Sequence, residues 1–190
     1  MSELKDDTGR SAASAEERSF GPGVAWRARL GSAGFRMASS VATSEVVPGA
    51  LRRRMHRLLG LQIGEVGMRS GSRFTGNKVK IGDGSWIHRD VLFDARTASV
   101  TVGRNVAVGP GTMFITSTHL IGEAGRRAGQ PVAFPIDVGD GCWIGARVLI
   151  LPGVWRRRRL VLAAGSVVRS DCEPNGLYAG IPARRVRDLQ

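Results

Sequence analysis

The sequence predicts an all-β fold, a parallel β-helix assembled from hexapeptide repeats. Apolar residues recur at every sixth position over long stretches, whereas an ordinary strand alternates with period two and a helix has a period of 3.6. Aromatic residues make up only 6% of the 190 residues, and 26 residues are glycine. Many short strands joined by tight turns suit this composition, because small residues let the chain turn sharply after each strand.

The repeat is carried by an apolar ladder that runs from Ile81 to Val168. In chain order its members are Ile81, Ile87 and Phe93, then Val102, Val108 and Phe114, then Val138, Ile144 and Ile150, and finally Leu162 and Val168. Three hexapeptides make one coil of a triangular solenoid. We therefore expect the ladder residues to stack inward as one continuous core.

Two segments interrupt the ladder. Residues 115–137 form a long insertion, and loops of that length within a regular fold are usually functional. At Arg156 the repeat requires an apolar residue, but the run from Trp155 to Arg159 supplies arginines instead. Because an unpaired buried charge is very costly, this turn either bulges outward, pairs with anions or reflects a sequence error.

The ladder divides the chain into four parts. Residues 1–47 lack a clear period and are expected to be a disordered extension, for which Met37 is an alternative start. A short helix is expected over 48–60, the β-helix over 61–175, and a C-terminal tail over 176–190.

The predicted short helix begins after Pro48 and ends before Gly60, since proline and glycine commonly mark these two ends. Its apolar residues fall on one stripe, which we expect to pack over the end of the β-helix. These residues are Leu51, Met55, Leu58 and Leu59. A basic helix lying on a membrane surface is the alternative.

Charge and composition limit the class of partner. The formal net charge of +12 favours polyanions such as phosphorylated cofactors; a solvated arginine-rich surface is the alternative. The sequence has no recognised nucleic-acid-binding module, no apolar run of about 20 residues to span a membrane and no compact apolar leader. Two cysteines are too few for a disulfide scaffold, so we expect a cytoplasmic protein.

Several motifs lie between residues 60 and 190. They are Thr-Ser-Thr-His (116–119), Trp-Ile-Gly-Ala (143–146), Leu-Pro-Gly-Val (151–154), Ala-Ala-Gly-Ser-Val-Val (163–168) and Ala-Gly-Ile-Pro-Ala-Arg (179–184). Together they resemble the left-handed β-helix acyltransferases, specifically the maltose/galactoside O-acetyltransferase branch. The resemblance implies a left-handed β-helix, a homotrimer with active sites between neighbouring subunits, and transfer of an acetyl group from acetyl-CoA to a hydroxyl. A zinc site like that of the γ-class carbonic anhydrases is not expected, because the sequence lacks their His-x4-His pair.

The resemblance implies that His119 is the catalytic base. An imidazole suits this role because its pKa lies near neutral pH and a sugar hydroxyl must lose its proton as it attacks the thioester. Asp94 corresponds to the acid that holds the acceptor hydroxyl; the alternative is a corner residue that hydrogen-bonds its own turn. Glu123 is a candidate to orient His119 and is grouped with Asp94 as an acceptor-binding residue, although the family's usual loop acid aligns one position later, at Ala124.

Further residues correspond to the family's CoA-binding positions. Trp143 is expected to point outward into the cleft near the acetyl group, with subunit packing as the alternative. Ala146 and Ala164 are expected to line the pantetheine channel. Arg184 and Arg187 are expected to meet the CoA phosphates, since guanidinium groups suit phosphate oxygens.

The predicted function is therefore an acetyl-CoA-dependent O-acetyltransferase acting on a sugar, glycan or small hydroxylated metabolite, without a metal. A non-catalytic trimeric β-helix scaffold is the alternative, favoured by the arginine run at 156–159. The insertion has Pro131, Val132 and Ala133 where an aromatic acceptor platform is expected, which favours a larger or less polar acceptor. Acetyl and longer acyl groups, and O- and N-transfer, all stay open.

Overall fold

The computed structural model describes residues 32–154 and 158–190, and these form a triangular prism of parallel sheets around one core. Each of the first four coils adds one short strand to each of the three faces in turn, and among the described residues the later coils add strands to faces 2 and 3. The predicted break at Arg156 lies outside the described residues, as do residues 1–31 of the predicted extension. None of the described helices is long and apolar enough to cross a membrane.

The strands are named by face. Face 1 contains β1 (Gln62–Ile63), β4 (Val79–Ile81), β7 (Val100–Val102) and β12 (Ile136–Val138). Face 2 contains β2 (Gly67–Met68), β5 (Trp86–Ile87), β8 (Ala107–Val108), β13 (Trp143–Ile144), β15 (Val161–Leu162), β17 (Gly176–Ala179) and the antiparallel β18 (Arg184–Asp188). Face 3 contains β3 (Arg73–Phe74), β6 (Leu92–Asp94), β9 (Met113–Ile115), β14 (Leu149–Ile150) and β16 (Val167–Val168).

The inward columns of the three faces confirm the predicted ladder and, with it, the β-helix. Face 1 stacks Ile81, Val102 and Val138 in register. Face 2 stacks Ile87, Val108, Ile144 and Leu162, and face 3 stacks Phe93, Phe114, Ile150 and Val168. Every ladder residue is buried, with at most 8% of its surface exposed.

The β-helix begins one coil before the ladder that the sequence revealed. The inward residues of this first coil are Ile63, Met68 and Phe74, each paired with the ladder residue one coil later. Ile63 and Met68 are five positions apart rather than six, because the corner between faces 1 and 2 is one residue shorter here. A strict six-residue period therefore misses this coil.

Helices α1 (Ser32–Ala42) and α2 (Gly49–Leu58) cover the start of the prism. α1 lies within the segment for which the sequence predicts disorder. It contacts β3, whereas α2 contacts β1 and β2, so the pair lies across the end of all three faces. α1 is tied down because Ala42 is fully buried and its carbonyl accepts a hydrogen bond from the Arg52 guanidinium.

α2 covers the end of the β-helix and Leu59 packs against the core, as predicted, but the predicted packing face is wrong at Leu51 and Leu58. Leu51 and Leu58 are 49% and 56% exposed, whereas Arg52 and His56 are buried. The Arg52 guanidinium donates hydrogen bonds of 2.7–3.1 Å to four backbone carbonyls, those of Ala42, Ser44, Val47 and Met68. Carbonyls at the end of a helix need donors that leucine cannot supply, so arginine takes the inward position.

His56 lies at the head of an aromatic column that continues down face 3. Its ring centroid is 4.7 Å from that of Phe74, and Phe74, Phe93 and Phe114 stack below at 4.8 and 4.9 Å. Neither ring nitrogen has a hydrogen-bond partner in the described part of the chain. Burial, with the neighbouring charge of Arg52, lowers the pKa of His56 to about 4.

An antiparallel hairpin replaces the regular coil in the predicted insertion. It consists of β10 (Ser117–Ile121) and β11 (Ala128–Ala133). The hairpin follows β9 of face 3 and precedes β12 of face 1, so it leaves the prism at the corner between these two faces.

Candidate active site

The outward row of face 2 is an apolar track that ends on an arginine. Residues paired across neighbouring strands point to the same side of a sheet. From the first coil to the last, this row contains Gly67, Trp86, Ala107, Trp143, Val161, Leu177 and Arg187. Trp86 and Trp143 are 45% and 61% exposed, respectively. We call this row the face 2 track.

Arg184 and Arg187 both lie on the outer side of face 2, where each pairs with an outward residue of β17. Residues three apart on a regular strand point to opposite sides of a sheet. Here the register shift in the β17–β18 hairpin leaves Val186 as a bulge and returns both arginines to one side. Arg185 faces the other side, with its guanidinium 5.8 Å from the ring centroid of Tyr178.

The corner between faces 2 and 3 runs beside this track and is built from small residues. Gly109, Gly145 and Ala163 stack there, and each donates its N–H at 2.8 Å to a carbonyl of the next coil. Ala146 and Ala164 follow along their coils. A Cβ on Gly145 would lie 2.6 Å from the backbone nitrogen of Ala164. The coils stack too closely at Gly109 and Gly145 for larger residues.

His119 lies on β10 of the hairpin, where it pairs with Pro131. Its side chain is exposed, and no hydrogen bond to it is found in the parts of the chain that the structure describes. Ser117 lies two positions earlier on the same strand. Because alternate residues of a strand share a side, the Ser117 and His119 side chains project from the same side of the hairpin.

Asp94 anchors the base of this hairpin. The Ser117 N–H donates to Asp94 Oδ2 at 3.2 Å, and the Ser117 hydroxyl donates to the same oxygen. The Thr75 hydroxyl donates to Oδ1 at 3.0 Å, and the Thr116 hydroxyl donates to the Asp94 carbonyl at 2.7 Å. The half-buried carboxylate therefore lies on the His119 side of the hairpin, about 7 Å along the strand.

The hairpin and the face 2 track lie on opposite sides of the prism. The chain visits faces 1, 2 and 3 in order, so the corner between faces 3 and 1 is the one that does not border face 2. His119 and Trp143 of one chain therefore face away from each other. A site that contains both residues requires two chains.

Two solved structures share this architecture and part of the sequence. The hexapeptide-repeat-containing acetyltransferase of Vibrio cholerae superposes with a TM-score of 0.71 at 30% identity, covering 84% of this chain and 93% of that chain. The chain belongs to the hexapeptide-repeat acetyltransferases. The maltose O-acetyltransferase of Clostridium difficile 630 superposes with a TM-score of 0.74 at 25% identity, covering 82% of this chain and 84% of that chain. The predicted left-handed β-helix class is thereby confirmed.

Curated relatives of this hexapeptide-repeat acetyltransferase match a shorter region. The galactoside O-acetyltransferase of Escherichia coli is 37% identical over 91 residues, which are 48% of this chain and 45% of that protein. The chain spans about half the length of the curated relatives it matches. No protein-family model matches the chain. The Vibrio cholerae protein has also been solved in complex with acetyl coenzyme A.

Within this hexapeptide-repeat acetyltransferase, the predicted site residues fall into two groups. Trp143, Ala146, Ala164, Arg184 and Arg187 lie along the face 2 track and its adjoining corner. The remaining residues, on the opposite side of the prism, are His119, Asp94 and Glu123.

Glu123 lies at the turn of the hairpin rather than beside His119. Its carbonyl accepts a hydrogen bond from the Arg126 N–H at 2.9 Å, and its side chain is exposed. No hydrogen bond joins Glu123 to His119 within the described residues. The structure also brings together no group of three or more His, Cys, Asp or Glu side chains suited to a metal ion, within residues 32–154 and 158–190.

The sequence analysis missed Trp86 and His88, which extend the same surface toward the first coil. Trp86 covers Gly67, where a Cβ would overlap its ring. His88 lies in the corner row between Arg69 and Gly109, and its Nδ1 accepts the Arg89 N–H at 2.8 Å. That bond leaves Nε2 to carry the hydrogen in the neutral ring and to act as a donor.

Proposed function

We propose that the protein is an acetyl-CoA-dependent O-acetyltransferase with active sites between the subunits of a homotrimer. The observation that carries this proposal is the face 2 track, on which Trp143 and Arg187 share one outward row. Three strand steps separate them, or about 14 Å. An extended pantetheine arm spans such a distance between its thioester and the CoA phosphates.

The residues beside this row suit the rest of the cofactor. Arg184 and Arg187 bind the phosphates, because guanidinium groups donate paired hydrogen bonds to phosphate oxygens. The corner along Ala146 and Ala164 has no bulky side chains to block the pantetheine arm. Trp143 covers the acetyl end with its exposed indole. The acetyl-CoA complex of the Vibrio cholerae relative supports acetyl-CoA as the donor.

The separation of the two groups supports the homotrimer. His119 is held at the corner between faces 3 and 1, whereas Trp143 lies on face 2. Side-by-side packing of prisms brings the hairpin of one chain to the track of its neighbour. A closed ring of three such contacts gives every subunit one complete site.

His119 acts as the general base in this mechanism. Its imidazole takes the proton from an acceptor hydroxyl as the oxygen attacks the thioester carbonyl. Asp94, on the same side of the hairpin, accepts a hydrogen bond from that hydroxyl and orients it. The tetrahedral intermediate then collapses, the C–S bond breaks, and the CoA thiolate leaves and takes up a proton. The new ester carries the acetyl group.

The acceptor is a sugar, a glycan or a small hydroxylated metabolite. The relatives from Escherichia coli and Clostridium difficile are named for galactoside and maltose, which supports a carbohydrate. Pro131 lies directly across the hairpin from His119, and Val132 and Ala133 follow it. This apolar edge favours an acceptor with an apolar part near the reacting hydroxyl. Glu123, at the hairpin turn, is placed to bind a more distant hydroxyl.

Free CoA thiol, measured with acetyl-CoA and a panel of hydroxylated acceptors, tests the proposal. Thiol release that depends on an acceptor is expected, and His119→Ala is expected to lower it by about 10²- to 10⁴-fold. Thr118→Ala is the matched control, since Thr118 is exposed on the same strand and points the other way. Absence of CoA binding by calorimetry would instead support a non-catalytic trimeric scaffold.

Mixed trimers test whether two chains share each site. His119→Ala and Trp143→Ala chains are each expected to be weakly active at low acetyl-CoA concentration. Co-expression of the two restores activity if a site takes His119 from one chain and Trp143 from its neighbour. No recovery in verified mixed trimers would place both residues of a site on the same chain.

A further inference from the structure

The end of the prism carries an exposed apolar surface. Met37 and Val41 of α1 are 72% and 59% exposed, and Val46 in the connection to α2 is 86% exposed. Leu51 and Leu58 of α2 are 49% and 56% exposed. We call these five side chains the cap patch. Exposed apolar groups that lie together mark sites of interaction with proteins or membranes.

The cap patch points away from the prism along its axis. Arg52 and His56 face the first coil, so Leu51 and Leu58 lie on another side of α2 and are turned away from the coil. In α1, Met37 and Val41 likewise lie on a different side of the helix from the buried Ser39 and Ala42. Both helices lie across the end of the prism, so their outer sides face in the same direction.

The arginines around α2 have divided roles. Arg53 and Arg57 bind Glu65 and the backbone of the first coil, with hydrogen bonds of 2.6–3.0 Å. Arg54, in contrast, is exposed and has no ion-pair partner among the described residues, and the same is true of Arg36 on α1. These two cations lie next to the exposed apolar stripes of their helices.

Acidic side chains are missing from the sequences of α1 and α2. The nearest acids that the structure describes are Glu45, which pairs with Arg89 at 2.7 Å, and Glu65, which pairs with Arg53 and Arg57. The cap patch therefore presents apolar groups and unpaired positive charge together. Helices that lie on anionic bilayers combine these two features.

We propose that the cap patch docks the protein on the surface of a bilayer that contains anionic phospholipids. The patch covers the outer sides of two helices, and a lipid surface can meet such a patch broadly. The inference does not depend on catalysis. If the proposed trimer forms with its prisms parallel, three patches share one end and engage the membrane together, which strengthens binding without new contacts.

Co-sedimentation of the full chain with vesicles tests this proposal. Binding is expected to vesicles of phosphatidylcholine with phosphatidylglycerol and not to phosphatidylcholine alone. Leu51→Ser/Leu58→Ser is expected to weaken binding at least about tenfold, and Arg36→Glu/Arg54→Glu at least about twentyfold. Neither double variant should change the thermal unfolding midpoint, since all four side chains are largely outside the core.

Matched variants distinguish vesicle binding through the cap patch from vesicle binding through the overall positive charge of the protein. Arg73→Glu/Lys80→Glu makes the same charge change on exposed positions of faces 3 and 1 and is expected to weaken binding much less. Val186→Ser is the apolar control, because Val186 is 60% exposed at the other end of the prism. An equal loss of vesicle binding in the test variants and in the control variants would overturn the proposal. A change in oligomer mass for Leu51→Ser/Leu58→Ser, without loss of vesicle binding, would assign the patch to a second copy of the chain.

Discussion

Faces 1 and 2 of the prism have the same backbone geometry and similar inward columns, but their outer rows differ in chemistry. The outer row of face 1 contains Gln62, Lys80, Thr101 and Asp137. The matching row of face 2 contains Trp86, Ala107, Trp143, Val161 and Leu177 before it reaches Arg187. Inward, both faces have a buried apolar column, which is isoleucine or valine throughout face 1 and includes Met68, Leu162 and Tyr178 on face 2.

The comparison distinguishes the inward residues, which the fold requires, from the outer residues, which it does not require. Face 1 shows that the β-helix needs only the inward column, since a polar outer row is compatible with the same strands. The indoles of Trp86 and Trp143 are therefore not required for the coil to form. Exposed aromatic side chains in a row are characteristic of binding surfaces, so we expect the outer row of face 2 to be a binding surface.

The largest expected effect is on the free energy of unfolding. It comes from a comparison of Ile144 and Trp143, which are adjacent on β13 and point in opposite directions. Ile144 is fully buried between Val108 and Leu162, so Ile144→Ala is expected to lower the free energy of unfolding by about 2–5 kcal/mol. Trp143→Ala is expected to change it by less than about 0.5 kcal/mol and to raise the KM for acetyl-CoA. Urea unfolding and steady-state kinetics measure the two effects. A large stability loss for Trp143→Ala would assign this side chain to packing.

The core of the prism could be predicted because every coil repeats one environment. Each ladder position meets the same neighbours, so the chain keeps an apolar residue there and the period becomes visible in a single sequence. The first coil lies within the predicted β-helix of residues 61–175, but the six-residue ladder did not include it because Ile63 and Met68 are five positions apart. The packing face of α2 escaped because Arg52 is buried to satisfy backbone carbonyls, a requirement that apolar periodicity does not reveal.

His56 contrasts with the apolar inward columns of faces 1 and 2, because it places a titratable ring at the head of the aromatic column of face 3. It gives the next expected effect on stability. Its pKa is about 4 in the folded chain and near 6.5 when unfolded. The unfolded state therefore binds the proton more readily, and stability is expected to fall by roughly 3 kcal/mol as the pH drops from about 6.5 to 4. His56→Leu is expected to abolish this pH-dependent loss of stability, because leucine has no group that binds a proton.

Unfolding midpoints measured from pH 8 to 4 test the role of His56. The chain with His56 is expected to lose stability more steeply below pH 6.5 than His56→Leu. His119→Ala is the control for removal of an imidazole, because His119 is exposed rather than buried. Parallel curves for the original chain and His56→Leu would contradict the low pKa of the buried imidazole.

The composition of the candidate site was predictable, but its arrangement was not. Trp143, Arg184 and Arg187 belong to recognisable motifs, yet a spacing of three predicts opposite sides for the two arginines. Only the bulge at Val186 places them together. Trp86 left a signal that was overlooked: it precedes inward Ile87 as Trp143 precedes inward Ile144, and both occupy the same position of the repeat.

The smallest expected effect is on the KM for acetyl-CoA, and it compares the loss of one positive charge on face 2 with the loss of one on face 1. Arg187→Ala is expected to raise the KM for acetyl-CoA about tenfold, the contribution of one charge-assisted hydrogen bond, with little change in kcat. Lys80→Ala removes the same charge from an exposed position on face 1 and is expected to leave KM unchanged. Acetyl-dephospho-CoA, which lacks the 3′-phosphate, sharpens the test. If Arg187 binds the 3′-phosphate, Arg187→Ala is expected to raise the KM for acetyl-dephospho-CoA only slightly. An equal rise in KM with both donors would indicate that Arg187 binds the diphosphate instead.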